Sequence, residues 1–146
     1  MGDSALGDDA DFPGGRGAVN APDSKFNAHG LPLHQLPDPE WEVGPRDVQQ
    51  MFDTGRDFLL LDCRTEQEVQ LARIAGAVHV PMQDIAARLQ ELREHEDRPI
   101  VVHCHHGRRS LQVAVFLRQQ GFSDVRSMAG GIELWSQSVD ARVSRY

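Results

Sequence analysis

A single cysteine stands where a short apolar run gives way to small, polar and basic residues. The stretch IVVHCHHGRRS, residues 100–110, has the Ile and Val content of a buried strand and leads into SLQVAVFLRQQ, which has helical spacing. Ligands of open parallel sheets gather at the carboxyl ends of strands, which is where Cys104 is expected. A thiol beside the amides of a tight loop and the positive end of a helix dipole is favoured as thiolate. The pattern predicts a nucleophilic cysteine.

The residues after this cysteine form a predicted substrate-binding loop: His105, His106, Gly107, Arg108, Arg109 and Ser110. Gly107 can take a positive φ, and the two arginines can pair with an incoming oxyanion. Ser110 is a candidate N-cap whose hydroxyl can also bond to the sulfur, and the two histidines are expected to lend partial positive charge. The alternative is a buried structural thiol, but histidines and arginines do not line an apolar core cheaply.

The chain around the loop alternates strand and helix patterns. FLLLDC is a continuous apolar run typical of a strand covered on both faces, and Thr65 to Glu68 form a capping-box pattern. The other expected strands are Ala77 to Val80, IVVHC and DVRSM, and the other expected helices are PRDVQQMF, IAARLQELREHE, SLQVAVFLRQQ and GGIELWSQ. Such alternation predicts an α/β domain with a mostly parallel sheet.

Composition divides the chain into three parts. Residues 1–38 are rich in Gly, Asp, Ala and Pro without apolar periodicity, which predicts a flexible N-terminal tail. Residues 39–140 carry the alternating pattern and are expected to fold as one domain, with residues 141–146 as a C-terminal tail.

The charge and cysteine content exclude several classes of partner. The formal charge is −7 with a pI of about 5.4, which argues against nucleic acid or an anionic membrane as the main partner. No apolar run approaches the roughly 20 residues that span a bilayer, and no secretory signal is evident. Two cysteines are too few for a disulfide framework and suit a reducing compartment, so a cytoplasmic location is expected.

These motifs together resemble the rhodanese-like domains, specifically the single-domain sulfurtransferases, over residues 41–137. CHHGRRS is similar to the family's active-site pattern C-x-x-G-x-R-S. LLLDCRTEQEV is similar to its D-x-R-x-x-x-E segment, IAGAVHVP to its I-x-G-A-x-x-I-P segment, and Gly121-Phe122, Gly130-Gly131 and Trp135 to its closing residues. The chain departs from the pattern at Ala72-Arg73, where the family commonly has Gly-His, and at Cys63, where it usually has Val.

The resemblance implies a three-layer fold, with a mostly parallel five-stranded sheet and helices on both faces, and a two-step sulfur relay. The Cys104 thiolate would take sulfur from a small sulfur-containing anion such as thiosulfate, which leaves a persulfide on the enzyme. An acceptor, either cyanide, a thiol or a protein cysteine, would then remove that sulfur. Such covalent catalysis predicts ping-pong kinetics and needs no metal or organic cofactor.

Three other functions remain as alternatives. Cysteine phosphatases on related folds use C-x5-R, which would require arginine where this chain has Ser110. A non-catalytic or regulatory binding module is the second alternative, although such modules often lack the cysteine. The third is a metal site at His103 to His106, which is disfavoured because recognised zinc patterns separate their ligands by two or more residues.

Three residues near the first predicted strand have supporting or undecided roles. Asp62 and Arg64 are expected to form a charged pair that supports the active loop. Cys63 is interpreted as a small core residue, and the alternative is a thiol that takes up the sulfur or forms a disulfide on oxidation.

Overall fold

The computed structural model describes residues 25–146. Its strands are β1 (Glu42–Val43), β2 (Leu59–Asp62), β3 (Val78–His79), β4 (Ile100–His103) and β5 (Val125–Met128). Its α-helices are α1 (Pro45–Asp53), α2 (Glu66–Leu71), α3 (Leu89–Leu92), α4 (Arg108–Gln119) and α5 (Gly131–Ser138). Two short 3-10 turns, Met82–Asp84 and Arg93–His95, flank α3.

The five strands form one sheet in the order β1-β5-β4-β2-β3, and every neighbouring pair is parallel. The strand that precedes Cys104 is therefore central, between β5 and β2. The sheet confirms the predicted fold class, and each crossover carries a helical connection as parallel strands require.

Alternation along the central strands separates two buried layers. Leu59, Leu61, Ile100, Val102 and Cys104 contribute to one apolar cluster with residues of α4 such as Val113 and Leu117. Leu60 and Val101 point the other way, into a second cluster with Val48 of α1 and Ile132 and Trp135 of α5. Successive strand residues face opposite sides of a sheet, so these clusters place helices on both faces as predicted.

Local sequence signals explain several element boundaries. Pro45 stands at the first position of α1, and the Thr65 hydroxyl accepts from the Glu68 amide while Glu68 Oε1 accepts from the Thr65 amide, which completes the predicted capping box. Gly121 follows the end of α4, as expected. Each of these signals depends on neighbouring residues, and the structure keeps the element boundaries that they predicted.

Two predicted helix boundaries are wrong. IAARLQELREHE does not form one helix, because only Leu89–Leu92 is α-helical between the two 3-10 turns. Its apolar spacing did identify the buried side chains Ile85 and Leu92. The α4 helix begins at Arg108 with Gly107 as its N-cap, whereas Ser110 had been expected to cap it.

The structure also places parts of both predicted tails against the domain. Leu31 is fully buried, and the Arg46 side chain donates to the carbonyls of Asn27 and Ser138. At the other end, the ring of Tyr146 stacks on His105. Residues 1–24 of the predicted N-terminal tail lie outside the described residues, so that part stays a prediction. Among residues 25–146, no helix combines the length and apolarity required to cross a bilayer.

Candidate active site

The sulfur of Cys104 lies at the centre of a tight loop between β4 and α4. The amides of Gly107 and Ser110 donate to Sγ at 3.2 and 3.3 Å. The Ser110 hydroxyl lies 3.4 Å from Sγ and 2.7 Å from the hydroxyl of Ser127 on β5. The thiol can donate to Ser110, and once the sulfur is ionised the Ser110 hydroxyl can turn to donate to it.

Gly107 gives the loop its shape. Its φ is +102°, which is the left-handed region that side-chain-bearing residues rarely adopt, and a Cβ there would lie 3.1 Å from the Gly130 amide. The turn at Gly107 brings its own N–H back toward Sγ and starts α4 at the next residue. The sequence predicted this conformational role correctly.

The start of α5 braces the loop from the other side. The amides of Ile132 and Glu133 donate to the carbonyls of Cys104 and His105 at 2.9 and 3.1 Å. Gly131 makes this approach possible, because a Cβ there would lie 2.4 Å from the His105 carbonyl oxygen. The loop is therefore held by a second element that follows it by more than twenty residues.

The environment of Cys104 favours the thiolate. The neighbouring Cys63 thiol is the strongest hydrogen-bonding influence, and the Ser110 hydroxyl and the amides of Ser110 and Gly107 act in the same direction. Together they outweigh burial and lower the pKa of Cys104 from 9.0 to about 4. Cys63 responds oppositely, because its hydrogen bond to Cys104 and its burial raise the pKa of its own thiol. Of the two thiols, Cys104 is therefore the one favoured as thiolate.

Arg109 is not free to meet a substrate anion in this structure. Its Nη1 and Nη2 donate to Oε1 and Oε2 of Glu68 at 2.7 and 2.9 Å. The hydrogen bond from Arg109 holds the pKa of Glu68 far below its usual range, so the carboxylate stays charged. The side chain of Arg108 is exposed and makes no hydrogen bond or ion pair within residues 25–146. The uncompensated positive charge beside the loop therefore comes from Arg108.

The two loop histidines form an aromatic stack with Tyr146. The ring centroids of His105 and His106 lie 3.9 Å apart, and those of His105 and Tyr146 also lie 3.9 Å apart. Burial and the neighbouring His106 lower the pKa of His105, which disfavours the charged form of that ring. The expectation that His105 and His106 lend partial positive charge stays a prediction. No group of three His, Cys, Asp or Glu side chains in the described part of the chain is arranged to hold a metal ion.

Asp62 and Arg64 form the predicted charged pair, with Nη2 of Arg64 2.7 Å from Oδ2 of Asp62 and both side chains almost wholly buried. Burial opposes ionisation of Asp62, but the bonds from Arg64 outweigh it and hold the pKa of the carboxyl below its ordinary value. The pair lies on the sheet face opposite Cys104, beside the fully buried ring of His103. It reaches the loop indirectly, because Arg64 also donates to the Tyr146 hydroxyl at 2.9 Å.

The sequence interpretation missed the site roles of three residues near the loop. Glu68 had been noted only for its capping box and its place in a motif, and Ser127 and Tyr146 had not been singled out. The Tyr146 hydroxyl donates to Glu68 Oε2 at 2.8 Å, which ties the chain's last described residue to the Arg109 pair. Glu68 and Arg109 are 41 positions apart, so only the side-by-side placement of β2 and β4 could reveal their pairing.

Fold and loop together define an α/β domain that holds a cysteine, with two amides directed at its sulfur, at the carboxyl end of a central parallel strand. Residues 44–138 match the family model described as rhodanese-like domain. The chain belongs to the rhodanese-like domain family.

Curated relatives agree with this assignment. The chain is 36% identical over 104 residues to the thiosulfate sulfurtransferase GlpE of Pseudomonas fluorescens, a match that covers 70% of this chain and 90% of that protein. It is 34% identical over 96 residues to a sulfurtransferase of Allochromatium vinosum, a match that covers 66% of this chain and 88% of that protein. These relatives place the chain among the sulfurtransferases at the level of family.

Solved structures show the same fold. A rhodanese-like domain protein from Staphylococcus aureus superposes with a TM-score of 0.63 at 21% identity, over 73% of this chain and 98% of that one. A thiosulfate sulfurtransferase from Pseudomonas aeruginosa gives a TM-score of 0.65 at 22% identity, over 73% of this chain and 20% of that larger chain.

Proposed function

We propose that this protein is a thiosulfate sulfurtransferase that carries sulfur as a persulfide on Cys104. The thiolate attacks the outer sulfur of thiosulfate, sulfite departs with the electron pair of the broken S–S bond, and the sulfur stays on the enzyme. A thiophilic acceptor, cyanide or a small or protein thiol, then attacks the outer sulfur and regenerates the Cys104 thiolate. The observation that carries the proposal is the pair of amides, from Gly107 and Ser110, that point at Sγ.

The loop also has donors for a second sulfur. The amides of His105, His106, Arg108 and Arg109 donate no hydrogen bond to other groups of residues 25–146. Unpaired amides at a helix start favour an anion, and the outer sulfur of a persulfide carries its negative charge at that position. They would stabilise charge on sulfur as an oxyanion hole does on oxygen.

Burial limits the size of the donor. Cys104 is only 1% exposed, so a substrate must reach it with a narrow end. The outer sulfur of thiosulfate is a single atom, and its sulfonate can lie outside, near the exposed Arg108. No metal or organic cofactor takes part in this scheme, because the cysteine itself forms the covalent intermediate. A thiolate with one reduced neighbouring thiol also suits a reducing compartment such as the cytoplasm.

Steady-state kinetics with thiosulfate and cyanide test the proposal. Thiocyanate formation at several fixed cyanide concentrations should give parallel double-reciprocal lines, the sign of a ping-pong mechanism. Cys104→Ser should abolish turnover while remaining folded, because the hydroxyl replaces the sulfur at nearly equal volume. Turnover that persists in Cys104→Ser, or hydrolysis of an aryl phosphate without any thiocyanate formation, would contradict the proposal.

A further inference from the structure

Cys63 lies directly beside Cys104 on the neighbouring strand. Asp62 and His103 are the last paired residues of β2 and β4, and the two cysteines follow them. The Cys63 amide donates to the His103 carbonyl at 3.1 Å, so the parallel arrangement continues past the strand ends. Both cysteines are free, and both belong to the apolar cluster on the same face of the sheet.

This placement suits a bond between the two sulfurs. Neighbouring strands lie about 4.8 Å apart, and disulfides bridge Cα separations of about 4.4 to 6.8 Å. Their proximity also shows in their electrostatics, because Cys104 raises the pKa of Cys63 and Cys63 lowers the pKa of Cys104. Each is also only 1% exposed, so solvent is excluded from the space between them.

Cys63 carries no sulfur in the relay proposed above. We infer that Cys63 is a resolving thiol that reduces the Cys104 persulfide, releases hydrosulfide and leaves a Cys63–Cys104 disulfide. The inference rests on the proposed function, because it needs the persulfide as its starting state. It adds an activity to that function, since a loaded enzyme without an acceptor would discharge its sulfur as sulfide.

The step balances without an outside oxidant. Sγ of Cys63 forms a bond to Sγ of Cys104, and the bond from Cys104 Sγ to the outer sulfur breaks. The outer sulfur leaves with that electron pair and takes the proton of the Cys63 thiol, which makes hydrosulfide. The Cys63 sulfur is oxidised and the outer sulfur is reduced, while Cys104 Sγ exchanges one S–S bond for another. A dithiol reductant then returns the disulfide to the two free cysteines.

Formation of the persulfide changes the charge on the sulfur atom beside the Cys63 thiol. In the resting pair, the neighbouring Cys63 thiol lowers the pKa of Cys104, so the negative charge is favoured on Cys104 Sγ. In the persulfide, the charge moves one bond outward to the sulfur that will leave. The inner sulfur is then uncharged, so it is open to attack by Cys63 from the side opposite the outer sulfur, and it no longer raises the pKa of the Cys63 thiol through a neighbouring negative charge. The same adjacency therefore supports both the resting pair and the discharge.

Anaerobic loading with thiosulfate alone tests this inference. Wild type, Cys63→Val and Cys63→Ser are loaded, freed of excess thiosulfate and sulfite, and followed by sulfide trapping and intact mass. Wild type should release about one sulfide per chain and end about 2 Da below its reduced mass, with both thiols resistant to alkylation until a dithiol is added. Both variants should keep the added sulfur and release sulfide at least about tenfold more slowly.

The two variants separate redox chemistry from packing. Cys63→Ser keeps a hydrogen-bond donor beside Cys104 at nearly the same volume, and Cys63→Val fills the site with an apolar side chain. A wild-type persulfide that lasts as long as that of Cys63→Ser would overturn the resolving role while leaving the proposed function intact. If neither wild type nor variant gains a sulfur, the proposed function fails, and this inference fails with it.

Discussion

The guanidinium of Arg109 and the carboxylate of Glu68 form a two-pronged ion pair, with N···O distances of 2.7 and 2.9 Å. The pair joins the helix that follows the cysteine loop to the helix that follows β2. It neutralises one of the two arginines beside Cys104, so the charge that meets an anionic donor depends on α2 as well as on the loop. Tyr146 reinforces the arrangement through its bond to Glu68.

Removing the charge of Glu68 should strengthen binding of the anionic donor. In Glu68→Gln, Arg109 keeps a neutral neighbour and its positive charge is no longer cancelled. The expected result is a KM for thiosulfate that falls about two- to fivefold, consistent with roughly 1 kcal/mol for a partly exposed ion pair. Glu66→Gln is the matched control, because it removes the same charge from an exposed position of the same helix. An unchanged or higher KM in Glu68→Gln alone would contradict this account of the pair.

The pH dependence of sulfur loading should follow the lowered pKa of Cys104. Because the thiolate is the nucleophile and its pKa is about 4, the ionised fraction is complete at neutral pH and is lost only as the pH falls toward that value. The rate of sulfite release in the first turnover should stay flat from about pH 6 to about pH 9. A rate that climbs about tenfold per pH unit through the alkaline part of this range would indicate an ordinary thiol.

Gly131→Ala should damage the loop far more than a glycine substitution with similar backbone geometry elsewhere. Gly131 and Gly55 have φ values of +60° and +69°, but a Cβ at Gly131 meets the carbonyls of Cys104 and His105, whereas one at Gly55 meets nothing within 4 Å. Gly131→Ala should lower the free energy of unfolding, measured with urea, by about 1 to 3 kcal/mol more than Gly55→Ala does. It should also lose turnover. Equal losses in the two variants would show that backbone strain alone, and not contact with the loop, explains the effect.

Breaking the buried pair of Asp62 and Arg64 should lower stability strongly. Asp62→Asn leaves the Arg64 guanidinium buried without its counter-charge, which is expected to reduce the free energy of unfolding by about 3 to 5 kcal/mol. Glu91→Gln removes the negative charge of the exposed Arg88–Glu91 pair and should change the free energy of unfolding by less than about 0.5 kcal/mol. Urea unfolding measures both, and similar values for the two variants would contradict a structural role for the buried pair.

Much of the fold followed from local patterns in the sequence. The run FLLLDC, the capping box at Thr65 and the alternation of strands and helices each depend on neighbouring residues, and the structure confirms them. IAARLQELREHE failed as one helix because apolar spacing fixes which side chains are buried, namely Ile85 and Leu92, and does not require continuous α-helical hydrogen bonds.

The parts of the candidate site formed by consecutive residues could be predicted from the sequence. The contacts between residues far apart in sequence could not. The motif around Cys104 identified the sulfur, Gly107 and Ser110, all of which meet in the loop. The partner of Arg109 and the contacts of Tyr146 depend on elements far apart in sequence. Two amides of this loop, those of Gly107 and Ser110, donate to Sγ, because the turn at Gly107 directs both at one atom.

Intact-mass spectrometry after brief anaerobic exposure to thiosulfate, quenched by acid, tests most directly whether Cys104 carries sulfur. Wild type should gain about 32 Da, lose it on addition of cyanide, and yield a modified peptide that contains Cys104, while Cys104→Ala gains nothing. An unchanged wild-type mass, or the same gain in Cys104→Ala, would contradict the central claim.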